Sequence, residues 1–97
     1  MHETREQSLD VTDGSAELVL EKPGDDACNI RIRPPGNGET FDVQVSDREG
    51  SWLDENTGVS GATDLKLTLT ERFVRVTVNT TGSGGTADVL ISAGGAE

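Results

Sequence analysis

The sequence predicts an all-β protein, an antiparallel β-sandwich of seven or eight strands with immunoglobulin-like or jelly-roll connections. Apolar and polar residues alternate with a period of two along most of the 97-residue chain, as they do in strands with one buried face. The alternating runs are short, segments rich in glycine, proline or aspartate separate them, and no stretch has a helical period. Together these observations indicate two sheets that pack on one core.

The first two alternating runs lie on either side of an Asp-Gly pair. Leu9 and Val11 precede residues 13–14, and Ala16 and Leu18 follow them. Asp-Gly is the strongest short-range hairpin signal, because a type I′ turn needs a positive φ at both central positions. We therefore expect a hairpin that pairs Leu9 with Leu18 and Val11 with Ala16.

The next two runs, residues 28–33 and 41–46, are joined by the loop 34–39. Its prolines and glycines cannot continue a strand ladder. Pairing through this loop would place Arg31 opposite Asp42 on the outer face. Such an exposed ion pair adds well under about 1 kcal/mol to stability.

Residues 64–93 contain three further runs with little interruption. The glycine-rich loop 80–85 would join the last two runs as a hairpin, with Val76 opposite Val89. Residues 71–72, between the first two runs, lack the glycine or asparagine that a tight hairpin prefers. The chain therefore either turns back within one sheet at that point or crosses between the two sheets.

Alternation also assigns an inward face to each run. Cys28, the only cysteine, falls on such a face, so we expect a core thiol in place of a disulfide or a zinc site. Trp52 lies in the least regular part, residues 47–63, and is either a buried plug for a core of small side chains or an exposed platform for a ligand. The predicted core consists of Leu9, Val11, Leu18, Leu20, Ile30, Ile32, Phe41, Val43, Val45, Leu67, Leu69, Val74, Val76, Val78, Val89 and Ile91.

The polar segment 1–7 is expected to be a flexible arm, followed by one domain over residues 8–94 and a tail over residues 95–97. No stretch approaches the ~18 apolar residues that span a bilayer, so we expect no membrane insertion. Eighteen acidic residues against eight basic ones give a formal net charge of −10. This charge argues against nucleic acid or an anionic membrane as a partner.

The composition also bears on the environment in which the protein works. Lysines are few, large apolar side chains are scarce, and threonine, valine, glycine and acidic residues are abundant. This composition is similar to that of proteins from a salt-saturated cytoplasm, where screening removes the self-repulsion of an acidic chain. An ordinary acidic bacterial or viral domain is the alternative.

Nothing in the sequence points to catalysis, and we expect no cofactor. The sole histidine, His2, lies in the predicted arm, so a serine or cysteine nucleophile would lack a base. Two clusters of loop carboxylates could hold Ca²⁺ or Mg²⁺, but their spacing is not that of an EF-hand. Solvated charge with weakly bound cations is the simpler interpretation. The carboxylates in question are those of Asp25, Asp26, Asp54 and Glu55.

Three residues on the outward face of the predicted last hairpin indicate a contact between subunits. Phe73, Arg75 and Leu90 combine an aromatic ring, a guanidinium group and an aliphatic side chain. Aromatic residues and arginine often anchor interfaces. We therefore expect the chain to contact itself or a partner protein through this face.

Residues 71–92, ERFVRVTVNTTGSGGTADVLIS, combine an aromatic-Val-Arg-Val-x-Val run, a loop of glycine, serine and threonine, and a second β-run. In this pattern the chain resembles the closing hairpin of small β-sandwich proteins in the virions of tailed viruses, which serve as capsid decoration, turret, neck and tail-fibre domains. With the salt-adapted composition, the resemblance implies a virus of a halophilic archaeon. It also implies homo-oligomeric assembly on a viral shell, a place in the virion after synthesis in the host cytoplasm, and no catalysis.

A carbohydrate-binding β-sandwich module is the alternative function. Sugar sites usually stack the sugar ring on an aromatic side chain. In this chain Trp52 would have to supply that platform, because tyrosine is absent and both phenylalanines are assigned to the core or to the contact.

Overall fold

The computed structural model describes residues 3–21, 26–36, 38–47, 51–69 and 71–93, and these residues form eight β-strands. In chain order the strands are β1 (Glu3–Asp10), β2 (Glu17–Glu21), β3 (Asp26–Arg33), β4 (Thr40–Ser46), β5 (Leu53–Val59), β6 (Thr63–Leu69), β7 (Phe73–Thr80) and β8 (Thr86–Ala93). Sheet A has the strand order β1-β8-β3-β6, and sheet B has the order β2-β7-β4-β5. The prediction of an all-β antiparallel sandwich is confirmed.

The pairing of the strands is that of a jelly roll. Strand β1 pairs with β8, β2 with β7, β3 with β6 and β4 with β5, all antiparallel, as in one long hairpin whose tip is the β4–β5 connection. The hairpin is rolled up, so that β8 also pairs with β3 and β7 also pairs with β4. Of the two expected topologies, the jelly roll is therefore the one present.

The hairpins predicted at residues 13–14 and 80–85 are wrong, and the pairing considered through the loop 34–39 does not form, because most consecutive strands lie in opposite sheets. Strands β1 and β2, β3 and β4, and β7 and β8 each divide between sheets A and B. Leu9 pairs with Ala87 instead of Leu18, and Val76 pairs with Leu18 and Val43 instead of Val89. A strand buries the same face whether its neighbour in the chain lies beside it or across the core, so alternation does not distinguish the two arrangements.

The same change of sheet explains two further outcomes. Arg31 does not lie opposite Asp42, because its ladder partners are Asp64 on β6 and Leu90 on β8. Of the two alternatives at residues 71–72, the chain crosses between the sheets, since β6 belongs to sheet A and β7 to sheet B.

The core lies between the two sheets and contains nearly all of the residues predicted for it. Phe41 is its largest side chain and is fully buried, and Cys28 is buried as expected. Leu67 is partly buried and packs against the core, while the side chain of Leu69 lies outside the described part of the structure. The buried apolar residues are Leu9, Val11, Leu18, Leu20, Cys28, Ile30, Ile32, Phe41, Val43, Val45, Val74, Val76, Val78, Ala87, Val89, Ile91 and Ala93.

The N-terminal segment differs from the expected flexible arm. Residues 3–7 belong to β1, which pairs with β8 from Glu3 opposite Ala93 to Asp10 opposite Thr86. Backbone hydrogen bonds to a neighbouring strand hold a segment even when its own side chains are polar, so the polar composition misled the prediction. His2 and the tail 95–97 lie outside the described residues. Within the described ranges, no helix is long and apolar enough to cross a bilayer.

Three connections pack together at one end of the sandwich. Val11 N donates a hydrogen bond to Gly85 O at 3.3 Å, and Gly82 N donates one to Val11 O at 2.8 Å. These bonds join the β1–β2 connection to the β7–β8 connection. Gly85 has a φ of +97°, and a Cβ placed on it would lie 3.2 Å from Pro35 Cβ in the β3–β4 connection. Glycine is needed here both for its conformation and for the close approach.

The Asp-Gly pair of the β1–β2 connection forms part of a side-chain-closed turn instead of a type I′ hairpin. Asp13 Oδ1 accepts hydrogen bonds from Ser15 N at 2.9 Å and Ser15 Oγ at 2.7 Å. Asp10 Oδ1 accepts from Thr12 N at 2.9 Å and Thr12 Oγ1 at 2.6 Å. The hydroxyl and amide of Thr12 lower the pKa of Asp10, and the amide and hydroxyl of Ser15 lower the pKa of Asp13, because they favour the ionised carboxylates.

These two turns predict separate effects of two conservative substitutions. Thr12→Val should raise the pKa of Asp10 toward the ordinary value of 3.8 and leave the pKa of Asp13 unchanged. Ser15→Ala should raise the pKa of Asp13 toward that value and leave the pKa of Asp10 unchanged. Carboxyl NMR titrations of the variants measure both values. Because both folded pKa values are lowered, the stabilisation is present above the unfolded pKa and is lost as the pH falls through the folded values. Equal changes in the pKa values of Asp10 and Asp13 in one variant would contradict the conclusion that the two turns act independently.

Candidate interaction site

The aromatic residues outside the core lie on the outer face of sheet B. Of the three aromatic residues in the sequence, Phe41 is fully buried. Phe73 points away from the core on β7, opposite to the buried valines of that strand, and is half-buried. Trp52 precedes β5 and lies half-buried against the guanidinium group of Arg75. We call Trp52, Phe73 and the two arginines that stack on them, Arg72 and Arg75, the aromatic patch.

Arg75 makes the largest number of specific contacts in the aromatic patch. Its Cζ lies 4.5 Å from the centroid of the Trp52 ring. Its Nε donates a hydrogen bond to Gln44 Oε1 at 2.8 Å, and Nη2 donates to the same oxygen. Nη1 pairs with Glu17 Oε2 at 2.9 Å. Only 21% of the Arg75 side chain is exposed, so these partners hold the planar guanidinium group in one orientation.

The hydrogen bonds around Arg75 extend across all four strands of sheet B. Glu17 lies on β2, Arg75 on β7 and Gln44 on β4, at neighbouring positions of the sheet. Gln44 Nε2 donates to Asp54 Oδ1 on β5 at 2.9 Å. The side chain of Gln44 therefore accepts from the arginine and donates to the carboxylate, which fixes the orientation of its amide.

A second arginine stacks on the second aromatic residue. Arg72 Cζ lies 5.8 Å from the centroid of the Phe73 ring, and its Nη2 pairs with Glu21 Oε2. Val19, half-buried on β2, is the ladder neighbour of Arg75 and adds an aliphatic side chain to this face. The outer face of sheet B thus combines two aromatic rings, one valine and two arginines.

The three residues predicted to form one contact lie on opposite faces of the sandwich. Phe73, Arg75 and Leu90 are all half-buried and point away from the core. However, β7 belongs to sheet B and β8 to sheet A. Phe73 and Arg75 share the aromatic patch, and Leu90 lies on the other side of the molecule. The prediction of a single contact with all three residues is wrong, because it assumed that β7 and β8 pair as a hairpin.

Leu90 lies at a shallow groove on the outer face of sheet A. The groove has a volume of about 650 Å³, and its lining includes Arg31, Asp64 and Lys66. Asp64 pairs with Arg31 Nε at 3.4 Å and with Arg33 Nη2 at 3.1 Å. All of these charged groups are exposed, so each ion pair contributes less than about 1 kcal/mol to stability.

Trp52 fits neither of its two predicted roles completely. It does not belong to the buried core, so it is not a plug between the sheets. The guanidinium group of Arg75 covers part of its ring, so it is not a freely exposed platform either. The guanidinium group on its ring also bonds to Gln44 and Glu17.

Of the two predicted clusters of metal ligands, the structure describes the side chains of one, Asp54 and Glu55. Asp54 and Glu55 are exposed on β5 of sheet B, and Asp54 accepts the hydrogen bond from Gln44. Asp26 begins β3 of sheet A, and its side chain, like the whole of Asp25, lies outside the described part of the structure. Within the described ranges, no three histidine, cysteine, aspartate or glutamate side chains are grouped as a metal site requires.

Two polar residues that the sequence pattern did not single out have defined structural roles. Gln44 is central to the hydrogen bonds of sheet B, but an outward glutamine in an alternating strand carries no signal of this. Glu39 is only 3% exposed, although it lies in a polar loop. Its Oε1 accepts a hydrogen bond from Gly36 N at 2.8 Å, which closes the β3–β4 connection. The only sequence signal of this bond was that Glu39 follows Gly36 by three residues.

Comparison with known proteins supports the fold alone. No protein-family model matches the chain, and no curated protein matches it significantly. One similar solved structure is described as Bacillus endospore appendages, a family of disulfide-linked pili. It has a TM-score of 0.55 and 11% identity, with coverage of 95% of this chain and 85% of that chain. Another is PliG of Aeromonas hydrophila, a periplasmic inhibitor of g-type lysozyme, with a TM-score of 0.54, 13% identity and the same coverage. Neither is described as a virion protein.

Proposed function

We propose that this protein is a non-catalytic structural component of a larger assembly, and that it contacts its partner through the aromatic patch. The supporting observation is that Trp52 and Phe73, both aromatic residues outside the core, lie on one sheet face, each stacked by an arginine. Tryptophan and arginine are among the residues that most often dominate the binding energy of protein interfaces. The pilus protein and the enzyme inhibitor described above as similar structures are compatible with a non-catalytic structural or interaction role.

The aromatic patch is ordered before any partner binds. Gln44 and Glu17 hold Arg75, and Arg75 in turn holds the ring of Trp52. Side chains that are already fixed lose little conformational entropy on association, so more of the contact energy remains as affinity. The carboxylates of Glu21 and Asp54 border the patch and provide the polar rim that protein interfaces usually have.

We further propose that this assembly is a virion, with the protein as a capsid decoration, turret, neck or tail component. The resemblance of residues 71–92 to the closing hairpin of such proteins supports it. The eight-stranded jelly roll supports it as well, because viral capsid proteins use this architecture. A pilus protein and an enzyme inhibitor both have a similar fold, so the fold by itself does not select a particular function.

Contacts between copies of this chain would be non-covalent. The Bacillus pili are described as disulfide-linked. In this chain Cys28 is the only cysteine, and it is fully buried on β3. A disulfide between folded subunits requires two thiols at the surface. The proposal therefore includes the assembly but not the disulfide linkage.

The proposed contact is tested with variants on the two outer faces. The double variant Trp52→Ala/Phe73→Ser should form smaller oligomers than the wild type, as measured by light scattering. Leu90→Ser, which removes a half-buried outward side chain from the other face, is the matched control and should assemble normally. None of these side chains belongs to the buried core, so circular dichroism should show intact β-structure. Normal assembly of the double variant would contradict the contact.

A carbohydrate-binding module remains the second candidate, and one observation favours it. Trp52 is partly exposed beside Arg75, which hydrogen-bonds to Gln44, and lectins also use the jelly roll. A glycan array followed by titration of the tryptophan fluorescence would distinguish the two functions. Binding that Trp52→Ala abolishes, with a wild type that does not assemble, would favour the carbohydrate-binding function.

The proposal of a halophilic host predicts a dependence of stability on salt. The net charge of −10 creates repulsion within a small domain, and salt both screens this repulsion and strengthens hydrophobic burial. The melting temperature should therefore rise steeply between low salt and molar KCl. Thermal melts followed by circular dichroism measure it. A flat or falling curve would remove the support for a halophilic origin.

A further inference from the structure

The two sheets have four edge strands, and three of them carry features that oppose pairing with another chain. An edge strand presents unpaired backbone groups, which proteins usually protect by short length, bulges or charges that point inward. Strand β2 has five residues. Strand β5 pairs with β4 through two shifts of register. Strand β1 carries Arg5 at an inward-facing position, opposite Ile91.

Strand β6 is neither short nor bulged, and its two charges, Asp64 and Lys66, lie on the outer face and do not point inward. It has seven residues and pairs with β3 in an unbroken register from Thr63 opposite Ile32 to Leu69 opposite Asp26. Its inward-facing residues Leu65 and Leu67 are only partly buried, although they pack against the core. The apolar face of this edge is therefore incompletely covered.

Strand β5, the edge strand of sheet B on the same side of the sandwich, also leaves apolar side chains exposed. Strand β5 is the edge of sheet B on this side, and Leu53 on β5 is 64% exposed, while Val59 is only partly buried. On the opposite side, β1 and β2 lie close to each other. Partly exposed leucines next to an unpaired edge are suited to a further strand, which would complete both the hydrogen bonding and the burial.

The charges on β6 indicate which strand could pair with this edge. Asp64 and Lys66 lie two residues apart on the outer face, on either side of Leu65. A second β6, antiparallel and centred on Leu65, would place Asp64 of each copy opposite Lys66 of the other. Opposite charges at directly paired positions stabilise a sheet, whereas a register centred on Lys66 would place two lysines together. The spacing of these charges is therefore self-complementary.

We propose that β6 pairs with β6 of a second copy of this chain, antiparallel and centred on Leu65. The pairing joins the two copies of sheet A into one continuous eight-stranded sheet, with the two-fold axis between the Leu65 residues. This isologous contact lies on an edge of the molecule and does not involve the aromatic patch, so it does not depend on the proposed function.

The ion pairs on the outer face of sheet A place Asp64 where it can bind a lysine of a second copy. Arg31 and Arg33 hold the Asp64 carboxylate on the outer face, where a lysine from the neighbouring copy would reach it. Within the described part of the chain, no ion pair involves Lys66. The ion pair across the two-fold axis would supply the lysine with a partner that it lacks in a single copy.

The experiment uses the Trp52→Ala/Phe73→Ser variant as the starting protein, because it lacks the aromatic patch. Analytical ultracentrifugation should show that it still forms a dimer. Adding Lys66→Glu replaces two attractive pairs by two repulsive ones and should weaken the dimer at least about tenfold. Adding Arg5→Glu, which makes the same change of charge at an exposed residue of the far edge strand β1, is the matched control and should leave the dimer unchanged.

A mixture of two variants gives the strictest test. Introduced separately into the starting protein, Lys66→Glu and Asp64→Lys should each dimerise at least about tenfold more weakly, and their equimolar mixture should form a heterodimer that is tighter than either homodimer, since each variant then offers the charges that the other lacks. If Asp64→Lys fails to fold, hydrogen exchange of the starting protein replaces this test: the β6 amides that point away from β3 should be protected at high concentration and not in the Lys66→Glu variant. A starting protein that remains monomeric, a Lys66→Glu dimer of unchanged affinity, or a mixture that stays monomeric would each overturn the proposal.

Discussion

Val76→Asp is expected to unfold the protein. Val76 is fully buried in the centre of sheet B, with Leu18 and Val43 beside it in the ladder. A carboxylate at this position would have no partner, and burying an unpaired charge costs several kcal/mol. A small domain has a free energy of unfolding of about 5–15 kcal/mol, and this core contains one aromatic side chain, so the cost removes most or all of the stability. Circular dichroism and urea titration measure the loss.

The matched control for this substitution is Val19→Asp. Val19 is also a valine of sheet B, but it points outward and is half-buried beside Arg75. An aspartate there remains accessible to water and lies next to a guanidinium group. The free energy of unfolding should change by less than about 1 kcal/mol. If Val76→Asp and Val19→Asp have equal effects, the assignment of the inward and outward faces of sheet B is wrong.

Arg75→Ala is expected to have the second-largest effect, because it removes the residue that joins the outer face of sheet B. The substitution leaves Gln44 Oε1 and Glu17 without their donor and uncovers the ring of Trp52. The hydrogen bonding of the charged guanidinium group to Gln44 contributes about 1.5–3 kcal/mol. The ion pair with Glu17, whose side chain is 42% exposed, adds less than about 1 kcal/mol, so we expect a loss of stability of about 1.5–4 kcal/mol. Oligomer size should fall as in the Trp52→Ala/Phe73→Ser variant.

Trp52 provides a direct measurement of this effect, because it is the only tryptophan in the chain. Its fluorescence emission should shift to longer wavelength in Arg75→Ala as the ring becomes more exposed. Arg75→Lys should retain the ion pair with Glu17 but lose the planar contact with the ring, and should give an intermediate result. Arg31→Ala, which removes an exposed arginine of sheet A, should change stability by less than about 0.5 kcal/mol. An unchanged emission spectrum in Arg75→Ala would contradict the stacking.

The alternation of apolar and polar residues determined which side chains are buried. Leu18, Ile30, Val43, Val76 and Val89 were assigned to the core from their positions alone, and all are buried. The reason is that a strand has only two faces and that alternate residues share a face. Assigning one residue to the core therefore assigns every second residue of the same strand, and the whole pattern tests the choice. The outward direction of Phe73, Arg75 and Leu90 followed from the same rule.

The sequence alone did not determine which sheet each strand joins. A jelly roll pairs strands that are far apart in the chain, such as β1 with β8, and the energy that selects this arrangement comes from the core as a whole. Local turn signals favoured hairpins, but the Asp13–Gly14 pair closes a turn that leads into the opposite sheet. Only the tertiary structure therefore separated Leu90 from Phe73.

The contacts of the aromatic patch also depended on the tertiary structure. Glu17, Gln44 and Arg75 lie on three strands that are 27 and 31 residues apart in the chain, counted from Glu17 to Gln44 and from Gln44 to Arg75. An outward polar residue carries no pattern that names its neighbour, because exposure to water satisfies it equally well in many positions. The sequence determined the composition of each face, and the pairing of the strands decided which of these residues meet.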